Sequence, residues 1–276
     1  MTLTEDTIRE AFAEHYMVRG ELGRGGMAYV FSARRRSDDA DVAIKVIRPE
    51  IAVGLGHDRF QREISVLTPL RHPHIFPLLE TGAVGPYLYY TMPCATDGSL
   101  KERLLQEQRL TVPDVLELAA QIGSALGYAH QQGVIHRDLK PENILSHKGQ
   151  WVLCDFGIAR AMEAASSESL SPSGVVIGTP QYLSPEQGAA ARKLDARSDI
   201  YSFGCVLYEA LAGHPPFTGA TPQAVIARHA KEHVPKLRTA RPDVPEHVEK
   251  ALEWALEKRP KDRPKNVGVL VAALEG

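Results

Sequence analysis

Two short stretches decide the fold: residues 136–143 read HRDLKPEN, and residues 155–157 read DFG. Phosphoryl transfer needs a group that orients or deprotonates the attacking hydroxyl, ligands for a metal ion, and a cation near the γ-phosphate. Asp138 and Asp155 supply carboxylates, whereas Asn143 supplies an amide oxygen and Lys140 a positive charge. Oxygen ligands of this kind suit Mg²⁺. The two stretches in this order therefore predict phosphoryl transfer, and a merely polar loop is the weaker interpretation.

A glycine-rich segment, residues 22–30 (LGRGGMAYV), lies between two strand-like runs. Glycines let backbone N–H groups approach phosphates closely, but a glycine-rich hairpin is more often only a turn. The segment is not a Walker loop, because no Gly-Lys-Ser/Thr follows, and it is not a Rossmann motif, because a strand follows instead of a helix. On its own it is a weak indication of nucleotide binding.

Lys45 interrupts the apolar strand-like run 42–47, and two interpretations of this lysine stay open. Its side chain either points to solvent on the polar face of the strand or places a cation near ATP phosphates. Glu63, on the helix predicted over 59–70, is a candidate carboxylate partner for it, although a glutamate on a helix, taken alone, is more often an ordinary exposed residue.

The hydrophobic pattern divides the chain into a β-rich part and a helical part. The first third has several strand-like runs and one helix, and after residues 96–99 helical spacing dominates. Thr111 and Asp114 mark a helix start, with Pro113 between them. The sequence therefore predicts an α+β protein whose two parts join near residues 94–98. Predicted strands are 16–22, 28–33, 42–47, 87–92, 134–135, 143–145 and 151–153, further helices are 199–212, 222–232, 245–257 and 264–274, and 161–176 is expected to be a mobile loop.

From about Tyr16 to Gly276, the chain resembles the eukaryotic-type (Hanks) protein kinases, whose motifs match residues 136–143 and 155–157. Residues 25–28 (GGMA) and 178–187 (GTPQYLSPEQ) resemble those of the bacterial serine/threonine kinase branch. The resemblance implies a bilobal protein kinase fold with a small β-rich N-lobe (about 16–95) that has one main helix. A larger, mainly helical C-lobe (about 96–276) would follow. Residues 1–15 would be a polar leader, either a short helix or a loose segment.

The resemblance also implies an ATP site. Gly23, Gly25 and Ala28 would cover the phosphates, with Leu22 and Val30 against adenine. Lys45 would contact the α- and β-phosphates and pair with Glu63. Met92 resembles the gatekeeper, and the backbone of Pro93 and Ala95 would hydrogen-bond adenine. The remaining residues assigned to this site are Arg24, Gly26, Met27, Ala43 and Leu145.

In the catalytic loop, the resemblance makes Asp138 the residue that accepts or orients the proton of the substrate hydroxyl. Lys140 would neutralise charge on the γ-phosphate, and Asn143 and Asp155 would hold the metal. Glu186 and Arg263 would form a buried ion pair, and Asp199 would anchor the backbone of the loop. His136, Arg137, Phe156 and Gly157 take structural or regulatory roles.

Lys140 and Thr179 are also the serine/threonine-type signature, since tyrosine kinases of this family differ at both positions. Thr179 is implied to hydrogen-bond Asp138 and Lys140. Serines in the loop after Asp155 suggest regulation, because a phosphate adds about −1.5 to −2 of charge that an arginine can pair with. We expect autophosphorylation at Ser171 or Ser173, with docking on Arg137, and a plain disordered loop is the alternative.

ATP and Mg²⁺ are the expected cofactors, with Mn²⁺ as a substitute, and proteins are the expected substrates. The 32 basic and 34 acidic residues give a net charge of −2, which does not indicate a nucleic-acid partner. Three cysteines without metal-ligand spacing indicate reduced thiols and a cytoplasmic location. No membrane contact is expected within this chain, and the location stays open between a cytoplasmic protein and the cytosolic domain of a longer membrane-anchored one. A homodimer through the N-lobe is a further expectation.

Two other functions compete with this interpretation. A kinase-fold scaffold that is catalytically weak would usually lack Lys45, Asp138 or Asp155, and all three are present. A small-molecule kinase of related fold would share the two aspartates but not the segment around Thr179 and Glu186. Both alternatives are weaker than a serine/threonine protein kinase.

Overall fold

The computed structural model describes residues 4–156, 179–191 and 193–276, without the side chains of Leu55 and Glu63. The described chain forms two compact units. The first comprises residues up to 71 together with 76–96, and the second comprises 72–75, 97–156 and the residues from 179 onward. The two predicted phosphorylation sites, Ser171 and Ser173, lie outside the described residues, and so does Gly157.

The first unit is built on a five-stranded antiparallel sheet. Its strands occur in the order β1-β2-β3-β5-β4. Alternation places Val42, Ile44 and Val46 on one face of β3, where they join a buried cluster, and Lys45 on the other. The strands are β1 (Tyr16–Arg24), β2 (Ala28–Arg35), β3 (Asp41–Ile47), β4 (Glu80–Val84) and β5 (Tyr87–Pro93).

Three short helices belong to the same unit: α1 (Glu5–Phe12), α2 (Pro49–Leu55) and α3 (His57–Ser65). The Thr4 hydroxyl caps α1 by accepting a hydrogen bond from the Thr7 N–H. Ile8 and Phe12 of α1 are buried in the cluster on the sheet, where the Phe12 ring meets Tyr89 edge-on at 4.9 Å. The segment before β1 is therefore a helix that completes the first unit's core.

The second unit is mainly helical. Helix α5 begins at the cap residue Thr111 and buries a face with Val115, Leu118 and Ile122. Helix α7 is buried along nearly its whole length, and Asp195 caps its start. The helices are α4 (Leu100–Glu107), α5 (Val112–Gln131), α6 (Pro185–Gly188), α7 (Ala196–Ala212), α8 (Pro222–Lys231), α9 (Leu237–Ala240), α10 (Glu246–Ala255) and α11 (Val267–Glu275), and the strands are β6 (Ile144–His147) and β7 (Gln150–Leu153).

The structure differs from the predicted elements in several places, and the helices α2, α4 and α9 were not predicted. The helix predicted over 59–70 lies at His57–Ser65, and β4 was not predicted, because Gly82 and Ala83 give it little strand character. Residues 134–135 form no strand among the described residues. The backbone that follows them is satisfied instead by a side chain, since Asp199 accepts the N–H groups of His136 and Arg137.

Candidate active site

The catalytic loop, residues 136–143, is anchored to helix α7 through Asp199. Its carboxylate accepts the His136 N–H at 2.8 Å and the Arg137 N–H at 2.9 Å. His130 Nε2 lies 2.7 Å from the same carboxylate. Burial would raise the pKa of Asp199, but the hydrogen bond and charge of His130, with His136 and the backbone donors, outweigh it and lower the pKa. A charged, buried side chain thus holds the start of the loop.

The His136 ring connects the loop to the end of β7. Its Nε2 lies 2.8 Å from the Cys154 carbonyl, and its Nδ1 lies 3.3 Å from the Asp138 N–H. Since the backbone N–H can only donate, Nδ1 is the acceptor and Nε2 carries the proton. The ring also packs on Phe156, with 4.7 Å between ring centroids. His136 therefore links the backbone of Asp138 to residues 154–156 in one tautomer.

Side chains of the described residues hold the Asp138 carboxylate at one of its two oxygens. Lys140 Nζ donates to Oδ2 at 2.7 Å, and Asn143 Nδ2 lies 3.3 Å from the same atom. Asn143 Nδ2 also donates to the Asp138 carbonyl at 2.7 Å. Within the described part of the chain, no donor reaches Oδ1. One oxygen is thus occupied by positioning contacts, and the other remains to accept a proton.

Asn143 and Asp155 fit the donor chemistry of a magnesium site. The Asn143 nitrogen is engaged with Asp138, so the oxygen of the amide is the end left for a ligand. Asp155 is half-buried, with a backbone φ of 65°. Among the described residues, no three His, Cys, Asp or Glu side chains group into a metal site. Mg²⁺ needs no such group, because it keeps waters and takes oxygens from phosphates.

Glu186 and Arg263 form a buried, bidentate ion pair in the second unit. The two guanidinium nitrogens donate to the two carboxylate oxygens at 2.7 and 2.8 Å, and the Arg263 side chain is 0% exposed. The Ser198 hydroxyl adds a bond of 2.7 Å to Glu186. Burial alone would raise the pKa of Glu186, but the hydrogen bonds and charge of Arg263 lower it. The structure thus brings Glu186 and Arg263 together in direct contact.

The glycine-rich turn of the first unit is open. Neither Gly23 nor Gly26 would bring an added Cβ within 4 Å of a described atom, and neither has a positive φ. The turn is held by the Gly25 N–H, which donates to the Ala28 carbonyl at 2.9 Å, and by Arg48 Nε, which donates to the Gly25 carbonyl at 2.9 Å. Packing and backbone conformation therefore do not require glycine at residues 23 and 26, which fits a turn that a phosphate approaches.

The other residues assigned to ATP are distributed over both units, and each unit is described by itself. In the sheet of the first unit, Val30 pairs with Lys45 and Ala43 pairs with Met92. Lys45 Nζ lies 5.9 Å from the centre of the Tyr90 ring, whereas the side chain of its predicted partner Glu63 lies outside the described residues. Leu22 and Arg24 are on β1, Met27 precedes β2, Pro93 ends β5 with Ala95 just beyond, and Leu145 is on β6 in the second unit.

Thr179 begins the turn that leads to α6, and its carbonyl accepts the Tyr182 N–H at 3.3 Å. In the described part of the chain, its hydroxyl makes no hydrogen bond to Asp138 or Lys140. The predicted contacts of Thr179 stay a prediction.

Three contacts near these residues were not foreseen from the sequence. Arg48 holds the glycine-rich turn, Gln187 Nε2 donates to the Arg137 carbonyl at 2.7 Å, and the Tyr182 hydroxyl bonds to Glu209. The pattern Ser184-x-x-Gln187 could have indicated a capped helix start. No local signal indicates the contacts with the catalytic loop or with α7, because both join distant parts of the sequence.

The protein kinase domain family matches residues 16–272. The chain therefore belongs to the protein kinase family. Among solved structures, it is similar to the kinase domain of Mycobacterium tuberculosis PknI, with a TM-score of 0.73, 26% identity and 95% of each chain covered. The predicted α+β bilobal kinase fold is thus confirmed.

Within that family, the chain is of the bacterial serine/threonine type, as predicted. It is 38% identical to the serine/threonine-protein kinase PknB of Mycolicibacterium smegmatis over 93% of this chain and 42% of that protein. It is 42% identical to PknB of M. tuberculosis over 80% of this chain and 36% of that protein. A probable serine/threonine-protein kinase of Streptomyces coelicolor is 40% identical, over 87% and 36%. The chain thus spans between 36% and 42% of the length of these relatives.

Among the described residues, no helix is both long and apolar enough to cross a bilayer.

Proposed function

We propose that this kinase domain transfers the γ-phosphoryl group of ATP to serine or threonine hydroxyls of proteins, with Asp138 as the catalytic base. The observation that supports the proposal is the hydrogen bonding of the Asp138 carboxylate. Lys140 and Asn143 hold its Oδ2, and no donor among the described residues reaches its Oδ1. A hydroxyl that binds at Oδ1 is oriented by its hydrogen bond and can lose its proton there.

In the proposed step, the acceptor oxygen forms a bond to the γ-phosphorus while the bond from that phosphorus to the β-phosphate oxygen breaks. The hydroxyl proton passes to Asp138 Oδ1 and then to solvent. The Lys140 ammonium, now 2.7 Å from Asp138, can turn toward the γ-phosphate because its flexible stem carries a single point charge. General-base catalysis of this kind contributes about 10²–10⁴-fold in rate.

Asn143 and Asp155 would hold Mg²⁺, and Mn²⁺ would replace it with the same oxygen ligands. When bound, the metal neutralises charge that develops on the phosphate oxygens. The side chains contribute orientation: the bond from Asn143 Nδ2 to the Asp138 carbonyl fixes the amide in the loop. Asp155→Ala is expected to abolish transfer at any Mg²⁺ concentration that supports the unaltered chain, and equal activity would contradict the metal assignment.

The test of the proposal is incorporation of phosphate from labelled ATP into a generic protein acceptor, followed by identification of the modified residue. Phosphoserine and phosphothreonine are expected, and kcat should fall about 10²–10⁴-fold in Asp138→Asn. The matched control is Asp58→Asn, because the Asp58 side chain is 99% exposed. Undiminished incorporation by Asp138→Asn would refute the proposed base, and a product that is only a small phosphorylated metabolite would favour a small-molecule kinase.

Autophosphorylation is proposed for Ser171 or Ser173, with the phosphate docking on Arg137. The support is the position of Arg137 next to Asp138 and the charge that a phosphoserine adds. Mass spectrometry after incubation with ATP should find phosphate on one of these serines in the unaltered chain but not in Asp138→Asn. The same loop phosphates in that variant, purified free of other kinases, would contradict autophosphorylation. A homodimer through the first unit stays a prediction.

A further inference from the structure

The backbone directly before Asp138 has an unfavourable conformation. Arg137 has a φ of 70°, in the left-handed region that side chains other than glycine rarely adopt. Such a residue keeps its conformation only where neighbouring groups hold it. On the amino side, Asp199 accepts the Arg137 N–H at 2.9 Å. On the carbonyl side, the holding group is the side-chain amide of Gln187, whose Nε2 lies 2.7 Å from the Arg137 oxygen.

The Arg137 carbonyl and the Asp138 N–H belong to the same peptide plane, because the peptide bond does not rotate freely. This plane is held at both edges. Gln187 donates to the carbonyl, and the N–H donates to His136 Nδ1 at 3.3 Å. Rotation of the plane would turn the Asp138 Cα and move its carboxylate. Gln187 therefore acts on the direction of the Asp138 side chain without contacting it.

The orientation of the Gln187 amide is itself fixed by Ser184. The Ser184 N–H and hydroxyl lie 3.1 and 3.0 Å from Gln187 Oε1, and the Gln187 N–H lies 3.4 Å from Ser184 Oγ. This reciprocal arrangement is the capping box at the start of α6. Since the Ser184 N–H can only donate, Oε1 must face Ser184 and the NH₂ group must face Arg137.

We propose that Gln187 is a positioning residue for Asp138: its amide spans from the capping box of α6 to the carbonyl of Arg137 and fixes the peptide plane that aims the Asp138 carboxylate. The consequence for the reaction rests on the proposed function of Asp138, whereas the structural bond does not. Two neighbouring residues of helix α6 thus make different contacts: Glu186 binds the buried Arg263, and Gln187 binds the backbone of the catalytic loop.

The test is Gln187→Glu, which changes one NH₂ group to an oxygen and preserves the capping box, where glutamate serves as well as glutamine. The second carboxylate oxygen then faces the Arg137 carbonyl and repels it. At pH 8, kcat should fall about tenfold, which is less than the roughly 10²-fold that a misplacement of about 1 Å can cost, because Asp199 and His136 still hold the segment. The KM for ATP should not change, and the variant should stay folded at the assay temperature, although the lost hydrogen bond lowers its stability. The facing carbonyl also raises the pKa of the introduced carboxyl above its ordinary value of about 4.3, because it disfavours the charged form. A protonated carboxyl can donate to the Arg137 carbonyl, so the ratio of wild-type to variant kcat should decrease as the pH falls from 8 toward 5.

The matched control is Gln223→Glu, which makes the same change at an exposed position on α8 and should leave kcat unchanged. A second variant, Gln187→Ala, removes the amide without adding charge. It should lower kcat with no recovery at low pH. If kcat per folded molecule were the same as in wild type in both Gln187 variants, the proposal would be overturned.

Hydrogen exchange of the backbone segment 136–140, followed by mass spectrometry without ATP, gives a readout that does not depend on activity. Exchange should be faster in Gln187→Glu than in wild type and in Gln223→Glu. If exchange were faster in Gln187→Glu but the wild-type protein phosphorylated no acceptor, the hydrogen bond would be supported and only the proposed kinase activity would be contradicted. Unchanged exchange together with wild-type kcat at every pH would overturn the positioning role.

Discussion

Two ion pairs in the second unit have the same length but differ in burial and in the number of their other hydrogen-bond partners. Arg263 Nη1 lies 2.7 Å from Glu186 Oε1, and Lys140 Nζ lies 2.7 Å from Asp138 Oδ2. The first pair is 0% and 12% exposed at its two side chains, and the second is 19% and 30% exposed. Because the two distances are the same, burial and the number of other partners must distinguish a pair that holds the fold from a pair that is proposed to act in catalysis.

Arg263 is saturated with acceptors. Besides the two oxygens of Glu186, its N–H groups reach the carbonyls of Glu257, Arg197 and Lys258 at 2.7 to 3.0 Å. A planar guanidinium with five donors suits this fixed arrangement. Lys140, by contrast, makes one carboxylate contact within the described part of the chain. A lysine with few partners can exchange a carboxylate for a phosphate, whereas Arg263 could not move without leaving several buried groups unpaired.

The largest effect is expected when the Asp138–Lys140 pair, which is proposed to act in catalysis, is broken. Asp138→Asn keeps the size of the side chain and an oxygen that can accept from Lys140, but it removes the basic carboxylate. Because the group is partly exposed, we expect the urea unfolding midpoint to stay close to wild type while kcat falls about 10²–10⁴-fold. Unfolding and activity are measured on the same preparation. A large loss of stability would mean that this pair is also structural.

The corresponding change in the Glu186–Arg263 pair should lower the stability of the protein rather than its kcat. Glu186→Gln leaves the buried Arg263 without a charged partner, and breaking a buried pair costs about 3–5 kcal/mol. Urea denaturation should show this loss in the free energy of unfolding, with activity lost only as the protein unfolds. Asp138→Asn is the matched control, since it makes the same carboxylate-to-amide change. A loss of stability no greater than in that control would contradict the structural role of the ion pair.

His229 extends the comparison to a buried group that has no carboxylate partner among the described residues and feels the positive charge of Lys258 instead. Burial and the charge of Lys258 lower its pKa to about 4 from an ordinary value of about 6.5. Its Nδ1 lies 2.9 Å from the Tyr201 hydroxyl. Between these values the unfolded chain binds the proton and the folded chain does not, so stability is present above pH 6.5 and is lost as the pH falls.

The contribution of His229 to this loss is about 2 kcal/mol between pH 6.5 and 4.5. In His229→Gln, the decrease in the free energy of unfolding over this range should be smaller than in wild type by about that amount. His233→Gln, at an exposed position, is the control and should leave the slope unchanged. Parallel pH profiles for wild type and His229→Gln would show that the buried histidine titrates as it does in the unfolded chain.

How much could be predicted from the sequence depended on whether a residue acts through its own chemistry or through a distant contact. Asp138, Asn143 and Asp199 were assigned their roles because their residue types and spacing match a family motif. Gln187 was not, since its bond crosses 50 residues to a carbonyl, and backbone carbonyls leave no mark in a sequence. For the same reason, the sequence left residues 1–15 open between a short helix and a loose segment. The burial of Ile8 and Phe12 in helix α1 depends on the sheet that they cover, which lies elsewhere in the sequence.

A third short pair gives the smallest expected effect and completes the comparison. Lys250 Nζ lies 2.6 Å from Glu246 Oε1 on α10, and the two side chains are 69% and 62% exposed. Glu246→Gln makes the same change of carboxylate to amide as in the other two pairs. Because exposed pairs are screened by water and salt, its unfolding midpoint should be indistinguishable from wild type, and so should its kcat. If this variant lost as much stability as Glu186→Gln, then distance rather than burial would determine the strength of these pairs, and the contrast between Arg263 and Lys140 would need another cause.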